Sequence, residues 1–183
     1  MQALGLQEVL GDTADCYPLH PVSLAVLPEL CTKFGQNERT LFSFLSSTEP
    51  QAVPKFLSEN EWSPKAQLPL VHVNQVYDYF VESAATSLGA ATSASRWLEI
   101  ESQIRDSVGL SDLETRTLKT VGLLNLISSS GLLRASRELI ERSVAHEECS
   151  GSTCELEQCL SQLQEMGILT YREFSDEYRI WKG

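Results

Sequence analysis

The last seventy residues contain the pattern that most restricts the fold: three amphipathic helical segments followed directly by a short hairpin. The first and third helices begin at capping boxes, residues 111–114 and 152–155, in which a Ser and a Glu three positions later satisfy free backbone N–H groups. Gly167 is placed to end the third helix as its C-cap. Residues 168–181 are rich in β-forming side chains, with a turn at 175–177. This order of elements is typical of a winged helix.

The N-terminal part of the chain predicts a separate helical subdomain. Pro21 suits the first turn of a helix, where its missing N–H is not needed, whereas Pro28 lies inside the same apolar run and predicts a kink or a split. Asn37 is placed as the N-cap of the next helix. Four prolines between positions 48 and 69 then mark a boundary. The spacing of apolar residues assigns a buried face to each predicted helix, and these faces include Phe44, Leu45, Ile100, Val108, Leu163 and Met166.

Together these patterns predict a mainly α fold, with a helical bundle subdomain followed by a winged-helix domain that ends in a β-hairpin. The predicted segments are an N-terminal segment (1–15), a helical lid-like subdomain (16–69), connecting helices (70–110) and the winged helix (111–183).

The charge balance limits the partners that the chain can bind. The formal net charge is −11, from 14 basic and 25 acidic residues. Such a surface repels nucleic-acid phosphates and anionic membranes unless a local basic stripe overcomes the field. The sequence contains neither an apolar run of membrane-spanning length nor a signal-peptide pattern, and its five cysteines are expected to be reduced thiols. We therefore expect a cytoplasmic protein without membrane contact.

DNA binding through the third helix of the winged segment is disfavoured. That helix carries Glu155, Glu157 and Glu165 and has no Lys or Arg. The hairpin supplies the candidate contacts to nucleic acid or to a partner: Arg172, Arg179 and Lys182. Four aromatic residues are expected to fix the hairpin to its own core or to a neighbour: Tyr171, Phe174, Tyr178 and Trp181. The charges favour a winged helix that faces protein, and a DNA-binding regulator is the alternative.

No cluster of residues predicts a metal site or a catalytic centre. His146, Cys149, Cys154 and Cys159 form the only group of soft ligands in the sequence, and their spacings do not make two close pairs. The sequence has no nucleophile motif and neither of the glycine-rich motifs that cradle phosphates. We expect no catalytic residue, no metal and no cofactor in this chain, with a small zinc enzyme or a zinc-stabilised domain as a weaker alternative.

Several strings in the sequence resemble the region that follows the nucleotide-binding core in large prokaryotic P-loop ATPases of the AAA+/STAND type. They are Tyr-Pro-Leu-His-Pro at 17–21, Gln-Asn-Glu-Arg-Thr-Leu-Phe-Ser-Phe-Leu at 36–45, and the segments 118–127, 133–136 and 178–183. The resemblance implies a helical lid and a winged helix, and it makes Arg39 a candidate sensor of the nucleotide's terminal phosphate. A local ion pair of Arg39 with a carboxylate such as Glu38 is the alternative.

The resemblance also implies where ATP and Mg²⁺ bind. The Walker A and Walker B elements are missing from this sequence, so they are expected upstream in a longer bacterial protein from which this segment is a fragment, and a stand-alone relic that has lost them is the alternative. The expected function is a non-catalytic regulatory module that relays nucleotide state to a partner. Its expected partners are the upstream ATPase domain or another protein.

Overall fold

A computed structural model describes residues 16–33, 37–60, 68–87, 92–127, 133–144 and 152–181. The chain divides into two compact units, Met1–Thr86 and Ser87–Gly183. Within the described residues the fold is mainly helical, with one two-stranded antiparallel hairpin near the C-terminal end. None of the helices in these ranges is long and apolar enough to cross a membrane. The four segments predicted above remain a prediction.

The first unit consists of helices that bury an aromatic cluster. The helices are α1 (Pro21–Lys33), α2 (Asn37–Ser46), α3 (Val53–Glu59) and α4 (Val73–Ser87). α2 packs against both α1 and α3. Phe44 of α2 is fully buried, and its ring lies 4.9 Å from that of Tyr79 and 5.9 Å from that of Phe80 on α4. This aromatic contact ties α2 to α4.

Helix α1 begins at Pro21, as predicted, and runs without a break through Pro28. The expected split at Pro28 is therefore not seen. Pro28 itself is exposed, whereas Val26, Leu27 and Leu30 are buried on the opposite side. Packing of these three side chains holds the helix together across the missing N–H, which shows how tertiary contacts override local propensity.

Two histidines join the start of α1 to the segment before α4. The backbone N–H of His20 donates to the carbonyl of Val71 at 3.0 Å, and the His20 and His72 rings stack with centroids 4.7 Å apart. The Nδ1 atom of His20 also accepts a hydrogen bond from the Val22 N–H at 3.2 Å. A neutral His20 ring therefore caps the first turn of α1, since a protonated ring has no acceptor to offer.

We expect the stability of the first unit to fall with acidification. Burial and the adjacent His72 lower the pKa of His20 from 6.5 to about 4. The unfolded state therefore binds a proton first, and the stability that is present above pH 6.5 is lost as the pH falls toward 4. With partial exposure of the ring allowed for, the loss is about 2 kcal/mol. Urea unfolding at pH 7.5 and 4.5 measures it.

The control is His20→Gln, which keeps a hydrogen-bonding side chain but cannot titrate. This variant is expected to show a smaller difference in unfolding free energy between the two pH values than the wild type. Equal pH dependence in the two proteins would show that other groups cause the effect.

The second unit is built around one central helix. Its elements are α5 (Thr92–Asp106), α6 (Asp112–Ile127), α7 (Arg137–Val144), α8 (Ser152–Glu165), β1 (Leu169–Arg172), a short 3-10 turn (Glu173–Ser175) and β2 (Glu177–Ile180). α6 packs against α5, α7, α8 and β2. Every residue from Thr120 to Ile127 is buried, as expected for a helix that is surrounded on all sides.

Two predicted helix ends have the expected hydrogen bonds. The N–H of Ser111 donates to the Glu114 carboxylate at 2.7 Å, and the N–H of Glu114 donates to Ser111 Oγ at 3.3 Å, so this capping box is confirmed. Gly167 has φ +72° and donates to the carbonyl of Gln164, while the N–H of Ile168 donates to that of Leu163. This is a Schellman motif, and it confirms Gly167 as the C-cap of α8.

Strand β2 pairs with β1 along one edge and with groups outside the sheet along the other. β1 and β2 are antiparallel, with Tyr171 opposite Tyr178. On the far side of β2, the N–H of Tyr178 donates to the carbonyl of Ala135 at 2.9 Å. Asn125 of α6 donates from Nδ2 to the carbonyl of Tyr178 at 2.9 Å and accepts the N–H of Ile180 at 3.0 Å. The Asn125 amide thus bonds to β2 as a neighbouring strand would.

Three predicted core residues are exposed instead. α5 ends at Asp106, so Val108 lies in the following turn and is 91 % exposed. Met166 follows the end of α8, and Leu45 lies on the solvent side of α2. The apolar spacing of these residues is correct, but the helices end earlier or turn a different face inward than the sequence suggests.

Candidate functional site

Arg39 lies on α2, next to an exposed apolar surface. Its side chain is outside the described part of the structure, so its proposed sensing role stays a prediction. Phe42 follows it by three residues, one turn along the helix, and is 71 % exposed. Leu45, a further turn on, is also exposed, while Phe44 faces the core. α2 therefore buries one face in its own unit and leaves a second apolar face uncovered within the described residues.

The arginines of the hairpin are not equally available for binding. Arg179 is paired with Glu177 through two contacts, Nε to Oε2 and Nη2 to Oε1, both 3.0 Å. Glu177 is only 4 % exposed, so Arg179 compensates a buried carboxylate. Arg172 is exposed and lies opposite Glu177 in the register. Lys182 is outside the described residues. Of the three candidate contacts, the structure thus ties Arg179 to an internal role.

The solvent face of α8 is acidic, as the sequence predicts. Leu156, Cys159, Leu160 and Leu163 are buried, and the exposed residues include Glu155, Glu157 and Glu165. Arg137 of α7 lies 3.0 Å from Glu157. Arg134, just before α7, donates instead to the carbonyl of Ser175 in the hairpin turn. These two arginines thus make contacts within the unit.

The four hairpin aromatics divide into one core residue and three exposed ones. Tyr178 is buried and fixes the hairpin to its core. Tyr171 lies against it, with ring centroids 4.8 Å apart, and its hydroxyl donates to Asp176 at 2.9 Å. This hydrogen bond to the carboxylate raises the pKa of Tyr171. Phe174 is 87 % exposed at the turn, and Trp181 is exposed at the other end of the hairpin.

The candidate soft ligands are not gathered into a site in the part that the structure describes. Cys159 is buried with its Sγ 3.6 Å from Thr117 Oγ1, and burial raises the pKa of its thiol. Cys154 is exposed on the same helix. His146 and Cys149 fall outside the described ranges. Among the described residues no group of three or more His, Cys, Asp or Glu side chains could hold a metal ion.

Sequence analysis missed the side chains that hold the hairpin in place. Asn125 is the one polar side chain in the run Val-Gly-Leu-Leu-Asn-Leu-Ile at 121–127, and that placement was the signal that could have identified it. A polar side chain in a buried helix needs hydrogen-bond partners, which β2 supplies. The role of Arg134 had no comparable signal, because its acceptor is a backbone carbonyl 41 positions away.

Comparison with models of known protein families, with curated proteins and with solved structures finds no match. The resemblance to P-loop ATPases therefore depends on the sequence strings quoted above.

Proposed function

We propose that this chain is a non-catalytic interaction module of a larger bacterial P-loop ATPase, with a lid-like first unit and a second unit that is a winged helix facing protein rather than DNA. In this proposal the nucleotide state of the ATPase core repositions the first unit, and the second unit passes that movement to a partner. ATP and Mg²⁺ bind to the core, outside this chain.

The connection between the hairpin and the segment before α7 supports the winged-helix assignment. A winged helix has three helices, a terminal hairpin and a short strand between its first two helices that lies beside the last strand. In this chain α6, α7 and α8 precede the hairpin, and Ala135, between α6 and α7, bonds to Tyr178 of β2. The position of that single bond matches the position of the short strand.

The observation that carries the protein-facing assignment is the pairing of the hairpin and α7 arginines with carboxylates. Arg179 neutralises buried Glu177, and Arg137 lies against Glu157. Useful affinity for DNA at cellular salt needs several uncompensated contacts to phosphate. The described hairpin offers Arg172 for this purpose, beside exposed Glu173 and Asp176.

The exposed face of α2 supports contact of the first unit with a neighbouring domain. Phe42 and Leu45 together leave large apolar side chains in water next to the position of Arg39. Covering them removes apolar area from solvent, which favours association. An arginine at the edge of such a contact can reach a phosphate held by the neighbour, and this is the role that the resemblance implies for Arg39.

We expect the chain not to bind duplex DNA. Fluorescence anisotropy with a labelled 20-base-pair duplex, at about 20 mM and about 150 mM salt, should show no saturable binding at either salt concentration. Binding at low salt that weakens steeply at the higher concentration would instead support the alternative, a DNA-binding regulator that uses Arg172, Arg179 and Lys182. Loss of that binding in Arg172→Ala would then assign it to the hairpin.

A further inference from the structure

We draw no further inference here: the strongest candidate, the exposed apolar surface patch that Phe42 and Leu45 form on α2, carries nothing beyond the proposed function, because nothing in the described part of the structure shows what covers it.

Discussion

Replacing Asn125 with Leu is expected to lower the free energy of unfolding by about 3 kcal/mol. The Asn125 amide bonds to the carbonyl of Tyr178 and to the N–H of Ile180, and both bonds are buried. Leu has a similar size but leaves the two backbone groups of β2 without partners. Each unsatisfied buried group costs about 1–3 kcal/mol. Urea unfolding followed by circular dichroism measures the loss, and faster amide exchange at Ile180 should locate it in β2.

Thr120→Val is the matched control for this substitution. Thr120 lies on the same helix and is fully buried, and its hydroxyl has no hydrogen-bond partner within the described residues. Removing a hydroxyl that makes no bond is expected to be neutral or slightly stabilising. If Asn125→Leu and Thr120→Val had equal effects, the hydrogen bonds of Asn125 to β2 would not be the source of its stabilisation.

The second large effect is expected for Gly122→Ala, with a loss of about 2 kcal/mol. A Cβ at position 122 would lie 2.8 Å from Ile100 Cγ2, and also close to Ile104 and Ile180, at 3.4 Å and 3.3 Å. Ala favours a helix over Gly by about 1 kcal/mol, so an exposed site would gain stability from the same change. Because α5 approaches α6 closely at this position, Gly122→Ala is expected to lower the free energy of unfolding instead of raising it. Thermal or urea unfolding of the variant tests this directly.

A double-mutant cycle with Ile100→Ala identifies the contact responsible. Removing Cγ2 of Ile100 relieves the overlap, so Ile100→Ala should cost about 1 kcal/mol less in the Gly122→Ala background than in the wild type. Strictly additive effects would show that position 122 is not limited by its approach to Ile100.

The local parts of the fold were predictable because their causes lie within a few residues. The capping box at Ser111 and the C-cap at Gly167 depend on hydrogen bonds between neighbours in sequence, and both are confirmed. The order of helices and the C-terminal hairpin follow from periodicity and turn chemistry, and the mainly helical architecture with its terminal hairpin is confirmed.

The parts that were wrong or missed depend on tertiary contacts. Of the kink or split predicted at Pro28, the split does not occur, because buried neighbours hold the helix on the side opposite the proline, and the kink stays a prediction. Val108 has the right spacing for the core but follows the end of α5. The sequence places Glu177 close to Arg179, but only the structure shows that this carboxylate is buried and paired with Arg179. Each of these outcomes depends on which residues are buried, and the spacing of residues in the sequence does not determine that.

The sequence predicted the charged and aromatic residues of the candidate site, but not which of them are exposed for contact with a partner. The sequence correctly indicated an acidic α8, since its glutamates fall between the buried positions of the helix. Phe174 and Trp181 are exposed, and their expected contact with their own core or with a neighbour stays a prediction.

Amide hydrogen exchange on the native assembly tests the relay of nucleotide state most directly. The protein is purified through a tag added at its own coding locus, together with whatever polypeptide or partner carries the ATPase core. Exchange is then compared with ADP and with a non-hydrolysable ATP analogue. We predict a nucleotide-dependent difference in protection of α2 and of the hairpin, and no difference for the isolated 183-residue chain. Identical exchange of α2 in both nucleotide states, or an ATP response of the isolated chain, would contradict the proposed relay.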